Sequence, residues 1–141
     1  MGRRTVRIAV DANLLLRFII GDDPEQQAIA ADELRRADGV VLPLVALCEF
    51  AWVLKRSYRV SRSDIALALR ELMGIQRTVC DTAAVEAGLE LMENGGDFAD
   101  GVIAYLGRYQ GADRFVTFDQ DAVKRLETLG HPARLAVSNP S

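Results

Sequence analysis

The sequence predicts an α/β fold, a three-layer α/β/α sandwich around a central, mainly parallel sheet. Three observations carry that prediction. Short apolar, β-branched runs alternate with longer helical stretches along the whole chain, which is the order that strand–helix–strand units produce. The run Ile8-Ala9-Val10 is continuously apolar, as expected of a strand covered on both faces. The chain has 141 residues, 50% of them apolar and 26% charged. That suits one domain with its own core, expected to span residues 1–141.

The elements follow in order. Val6 to Val10 reads as a strand ending at Asp11, and Leu14 to Ile20 as a helix broken at Gly21-Asp22-Asp23-Pro24. Asp23 is a natural N-cap and Pro24 a natural first helical residue for a helix over Glu25 to Ala37. Gly39 to Leu42 is a second strand, and Pro43 opens a helix over Leu44 to Ser57. Ser61 or Ser63 caps a helix over Asp64 to Met73. Arg77 to Cys80 is a weak third strand. Helices over Thr82 to Glu93 and Asp97 to Tyr109 stop at Asn94-Gly95-Gly96 and Gly111. Arg114 to Phe118 is a fourth strand ending at Asp119. A helix over Asp121 to Leu129 and a short strand over Arg134 to Val137 complete the chain.

Composition excludes several chemistries. The two cysteines, Cys48 and Cys80, lie in apolar runs and read as buried thiols. The single histidine, His131, sits in the turn-like Gly130-His131-Pro132. A zinc site of His and Cys, or a nucleophile activated by histidine, therefore has too few residues to build it. The basic N-terminus lacks the unbroken apolar region of a signal peptide, and no apolar stretch is long enough for a membrane span. A cytoplasmic protein without membrane attachment is expected.

The acids are more informative. In open parallel sheets, functional groups gather at the carboxyl ends of strands. Asp11 follows the first strand directly and Asp119 follows the fourth, so both are expected at that edge, where each also makes a good helix N-cap. Glu49 is embedded in Val45-Ala46-Leu47-Cys48 and Phe50-Ala51-Trp52-Val53-Leu54. A carboxylate buried among such residues needs a cation or an arginine partner. Asp97 and Asp100 are spaced i, i+3 in the first turn of a helix, with Asp97 the natural cap. Asn13 can cap the first helix, orient Asp11 or hold a water. Converging carboxylates repel unless a cation joins them, and an oxygen-only donor set selects Mg²⁺ or Mn²⁺. Phosphodiester hydrolysis is the natural chemistry of such a site. Without these five acids the net charge of −3 becomes +2, and Lys55 and Lys124 are the only lysines among the cations. Arginine suits bidentate phosphate contact.

Four segments together resemble the PIN-domain ribonucleases, specifically the toxin member of VapBC-type toxin–antitoxin pairs. They are Val10-Asp11-Ala12-Asn13-Leu14-Leu15, Leu47-Cys48-Glu49-Phe50-Ala51-Trp52-Val53-Leu54, Asp97-Phe98-Ala99-Asp100-Gly101-Val102-Ile103-Ala104 and Phe115-Val116-Thr117-Phe118-Asp119. Their order and spacing cover nearly the whole chain. The resemblance implies a Mg²⁺- or Mn²⁺-dependent endoribonuclease of α/β/α fold. Asp11, Glu49, Asp100 and Asp119 would be its catalytic, metal-holding acids, with Asn13, Asp97 and Thr117 supporting them. It also implies an RNA substrate, a homodimer, and a small antitoxin partner whose C-terminal arm occupies the active-site groove; such a partner is expected to carry an Arg or Lys aimed at the acids. Gly101 departs from the pattern, standing where a small helix former such as alanine is expected. Glycine within a helix costs about 0.5–1 kcal/mol relative to alanine, so it is expected to loosen the turn carrying Asp100.

Rival readings fit less well. A receiver-like phosphoacceptor domain has adjacent acids after its first strand, whereas Ala12 follows Asp11. A haloacid-dehalogenase-like phosphatase needs a second acid where Asn13 stands. A non-cleaving PIN-fold module for RNA or a partner has no use for a full set of like charges. Arg17, Arg56, Arg59, Arg62 and Arg108, with Tyr58, are candidate RNA contacts. Trp52 and the Phe50/Leu54 stripe are expected in the core or in a dimer interface.

Overall fold

The structure is a computed structural model and describes residues 5–137. The chain divides into two compact units, residues 1–81 and 82–141, each with its own strands and helices.

In the first unit, strands β1 (Arg7–Ala9), β2 (Gly39–Val41) and β3 (Thr78–Val79) form a parallel sheet in the order β1-β2-β3. Arg7 pairs with Gly39 and Ala9 with Val41, and Val40 pairs with Thr78. Burial concentrates in the middle strand, where Gly39 and Val40 are buried. β1 is an edge of this sheet, and its Ala9 is exposed rather than covered on both faces. Four helices accompany the strands: α1 (Ala12–Ile20), α2 (Pro24–Arg36), α3 (Leu44–Arg56) and α4 (Arg62–Gly74). Their ends follow local chemistry. Asp23 Oδ1 accepts a hydrogen bond from Gln26 N at 3.1 Å and Pro24 is the first helical residue. Ser61, not Ser63, caps α4. Gly21 ends α1 at φ 71°, a left-handed conformation that glycine adopts without steric cost. Leu15, Leu47, Phe50, Leu54, Leu69 and Leu72 form much of the core of this unit.

In the second unit, β4 (Phe115–Thr117) and β5 (Ala133–Leu135) pair in parallel, Phe115 with Ala133 and Thr117 with Leu135. Helices α5 (Thr82–Glu93), α6 (Phe98–Tyr109) and α7 (Gln120–Thr128) complete it. α5 and α6 pack against each other through glycine. A Cβ on Gly101 would stand 2.6 Å from the Ala87 carbonyl oxygen, and a Cβ on Gly88 would stand 2.7 Å from the Phe98 ring. Both are closer than real Cβ atoms approach their neighbours, so the missing side chains set the helix separation. Gly101 therefore has a packing reason where looseness was expected.

All described strand pairs are parallel. Among the described residues no helix is long and apolar enough to cross a membrane.

Candidate metal centre

Asp11 leaves β1 and caps α1. Its Oδ1 accepts a hydrogen bond from Leu14 N at 2.9 Å, and its backbone is extended at φ −94°, ψ 175°. The side chain is exposed, and the cap occupies Oδ1 alone. Val10 N donates to Val41 O at 3.4 Å, which keeps the ends of β1 and β2 together up to Asp11. Asn13 follows in the first turn of α1 and is exposed.

After β2, Leu42 N donates to Val79 O and Pro43 turns the chain into α3. The start of α3 thus lies at the carboxyl edge of the three-stranded sheet, the edge that carries Asp11. Glu49 sits in its second turn. The buried residues of α3 are Ala46, Leu47, Phe50, Ala51 and Leu54, one stripe at helical spacing. Glu49 lies off that stripe and is exposed, contrary to the burial inferred from its apolar neighbours. It makes no hydrogen bond or ion pair among the described residues, so the arginine partner considered for it is absent there. Val45 and Trp52, 79% and 58% exposed, share its face. Trp52 therefore parts from Phe50 and Leu54, which are core.

In the second unit, Asp119 leaves β4 and caps α7. Its Oδ1 accepts from Asp121 N at 2.9 Å and from Ala122 N at 3.1 Å. Thr117 supports the turn, because its Oγ1 accepts a hydrogen bond from Asp119 N at 3.1 Å. Both expected strand-end aspartates are thus helix caps, each through one carboxylate oxygen. Asp97 holds the N-cap position of α6, but its side chain makes no capping bond, a departure from its expected role. Asp100 is half-buried in the first turn of α6. Within neither unit do three or more His, Cys, Asp or Glu side chains among the described residues lie close enough to hold a metal ion. The structure brings Asp11 and the α3 turn carrying Glu49 to one sheet edge; in the other unit Asp100 and Asp119 stand at helix starts. A cavity of about 400 Å³ in the second unit, lined by Tyr105, Phe115, Leu126 and Pro132 among others, includes none of these acids.

Neither cysteine forms a disulfide among the described residues, and both are half-buried, where full burial was expected. Desolvation raises the pKa of the Cys48 thiol. His131 follows a turn at Gly130, and its Nε2 lies 3.4 Å from Glu90 Oε1.

No curated protein matches the chain. A family model, the PIN domain, matches residues 8–128, a span that contains all four acidic segments. With that match and its parallel strands and seven described helices, the chain belongs to the PIN-domain family and has the α/β/α class of fold expected from its sequence.

Proposed function

We propose that this protein is a metal-dependent endoribonuclease, that Asp11, Glu49, Asp100 and Asp119 are its metal-holding acids, and that it acts as the toxin of a type II toxin–antitoxin pair. PIN domains are in general metal-dependent nucleases, and the family match over residues 8–128 is the observation that carries the reading. The placement of the acids supports it. Each lies just after a strand or in the first two turns of a helix, as ligands at a strand-end site do. Asp11 and Asp119 each commit only Oδ1 to capping, and Glu49 is exposed.

The donor set fits Mg²⁺ or Mn²⁺. It consists of hard carboxylate oxygens, and Mg²⁺ meets proteins through one or two of these while keeping several waters. A bound cation of this kind neutralises charge on a phosphoryl oxygen and lowers the pKa of water. The chain's own groups do the rest. The caps fix the rotamers of Asp11 and Asp119 before substrate arrives, so orientation is settled in advance. Asn13 and Thr117 support these aspartates, Thr117 through the Asp119 backbone. Asp97 supplies a further carboxylate beside Asp100. The net reaction adds water across a P–O ester bond of RNA. One fragment leaves with the phosphate and the other with a hydroxyl.

The proposed assembly is a cytoplasmic homodimer within one PIN-like domain per chain, neutralised by a small antitoxin whose Arg or Lys enters the acid site. Cleavage of total RNA by partner-free protein, with Mg²⁺, with Mn²⁺ and with EDTA, tests the activity beside an Asp11→Asn variant. Asparagine keeps an acceptor for the Leu14 N–H, so the fold should survive. Discrete products that need metal and vanish in the variant are expected. Metal-independent products, or undiminished cleavage by the variant, would remove the acids from the mechanism.

A further inference from the structure

The exposed face of α3 carries more than Glu49. Val45, Glu49, Trp52 and Arg56 follow at i, i+4, i+7 and i+11, and all four are exposed. Residues three apart on a helix are surface neighbours, so Trp52 and Glu49 occupy adjacent positions on this face. The Arg56 guanidinium carbon lies over that ring, 5.7 Å from its centroid. Beyond it, Phe50 to Ser63 contains no acid, while Lys55, Arg56, Arg59 and Arg62 are all exposed.

The loop after α3 is held in place. Ser57 N and Tyr58 N both donate to Val53 O, and Val60 N donates to Leu54 O at 3.0 Å. The Tyr58 hydroxyl donates to Asp22 Oδ2 at 3.4 Å, and Arg17 Nη1 meets Asp22 Oδ1 at 3.3 Å. Arg59 adopts a left-handed backbone, φ 54°, just beyond Tyr58. An exposed indole, a guanidinium on its face and a fixed cationic loop thus adjoin one proposed metal ligand.

We propose that Trp52 and Arg56 form a substrate-positioning platform for single-stranded RNA, with Trp52 stacking on a base next to the cleavage site and Arg56, Arg59 and Arg62 tracking the phosphates. This rests on the nuclease reading and adds which surface takes the substrate. Charge complementarity selects the occupant. Base–aromatic stacking beside a cationic track is how sequence-tolerant single-strand binding is built, and arginine planes serve the same purpose for unstacked RNA bases. Arg56 over the indole already provides half of such a stack. The opposite face of the ring is the one a base would take.

Trp52 is the only tryptophan, so its emission reports this site alone. The test titrates an Asp11→Asn protein with a fluorescein-labelled, unstructured 12-nucleotide RNA in Mg²⁺, following anisotropy of the label and, with unlabelled RNA, tryptophan emission. Quenching should track binding. Trp52→Ala should weaken affinity about 5- to 100-fold, and Trp52→Phe should recover most of it. Arg56→Ala should reduce the dependence of log K on log salt by about 0.7, one single-strand phosphate contact. Circular dichroism confirms that the variants fold. RNA binding without quenching, and with equal affinity in Trp52→Ala, would overturn the platform while leaving the nuclease reading intact. Absence of RNA binding in every protein, with no cleavage by the unmutated chain, would overturn both. If emission and sedimentation instead vary with protein concentration and RNA changes neither, a second copy covers this face and the platform is wrong.

Discussion

A Cβ built on Gly101 would stand 2.8 Å from the Cα of Gly88, so α6 and α5 meet at a separation that only glycine allows. The fit has a direct consequence. In an isolated helix, alanine at 101 would gain about 0.5–1 kcal/mol over glycine. Here it must push against backbone, the Ala87 carbonyl and the Gly88 Cα, and backbone yields at a cost of about 1–3 kcal/mol. Gly101→Ala is therefore expected to destabilise by the excess of this cost over the helix gain, with a melting temperature up to roughly 8 °C below that of the unmutated chain. Thermal and urea unfolding check this. A stability gain would mean that α5 and α6 separate at little cost.

Asp119 caps α7 and is a proposed metal ligand, and substitution can separate the two roles. Asp119→Asn keeps an acceptor for the N–H groups of Asp121 and Ala122, both bound by Oδ1. Asp119→Ala removes it, and loss of such a cap costs about 0.5–2 kcal/mol. The asparagine variant should unfold much as the unmutated chain does, since Asn and Asp cap about equally well, yet lose metal affinity and cleavage. The alanine variant should lose stability as well. Urea midpoints and metal-binding calorimetry on the two proteins make the comparison. Equal metal affinity in all three would leave Asp119 a cap only.

Much of this was legible in the sequence because strand-to-helix transitions leave sharp signals. Asp23-Pro24, Ser61 and the terminating Gly21, Gly95 and Gly111 mark helix ends by their own backbone chemistry. Asp11 and Asp119 could be placed because a short apolar run ends immediately before each. The burial expected of Glu49 misled for one reason. Hydrophobicity summed along α3 does not say which residues share a face. The stripe Ala46-Leu47-Phe50-Ala51-Leu54 was in the sequence, and its period leaves residues 45, 49, 52 and 56 outside. Gly101 and Gly88 were not legible, since helix separation is a tertiary property that one residue's propensity does not contain. The side-chain cap assigned to Asp97 failed because spacing identifies a cap position, whereas the bond depends on the rotamer.

Cys48 is expected to be slow toward alkylating agents at neutral pH. Burial raises the pKa of its thiol above the ordinary value of 9.0, and the thiolate is the reactive form. The neutral-pH thiolate fraction is then smaller than for a free thiol, and modification should accelerate only on the alkaline side of 9.0. Iodoacetamide labelling read by peptide mass spectrometry, with urea-unfolded protein as reference, measures the protection. Labelling of Cys48 as fast in the folded as in the unfolded chain would contradict its burial.

Asp32 should mark the acid limb of stability. Hydrogen bonding from Arg36 lowers its pKa below the ordinary 3.8, aided by the charges of Arg36 and Arg35 and a hydrogen bond from Arg35. Arg36 Nε donates to Asp32 Oδ2 at 2.8 Å, an i, i+4 pair on α2. A carboxyl whose folded pKa is depressed contributes stability above its unfolded pKa and loses it as pH falls through the folded value. The contribution is therefore complete near neutrality and disappears below 3.8. The group is well exposed, so the effect should be small and should shrink in high salt. Arg36→Ala should move the Asp32 titration, followed by carboxyl NMR shifts, back toward 3.8. Asp32→Asn should flatten the fall in melting temperature on the acid side of that value without altering the neutral side's slope. A titration unmoved by Arg36→Ala would assign the depression to Arg35 instead.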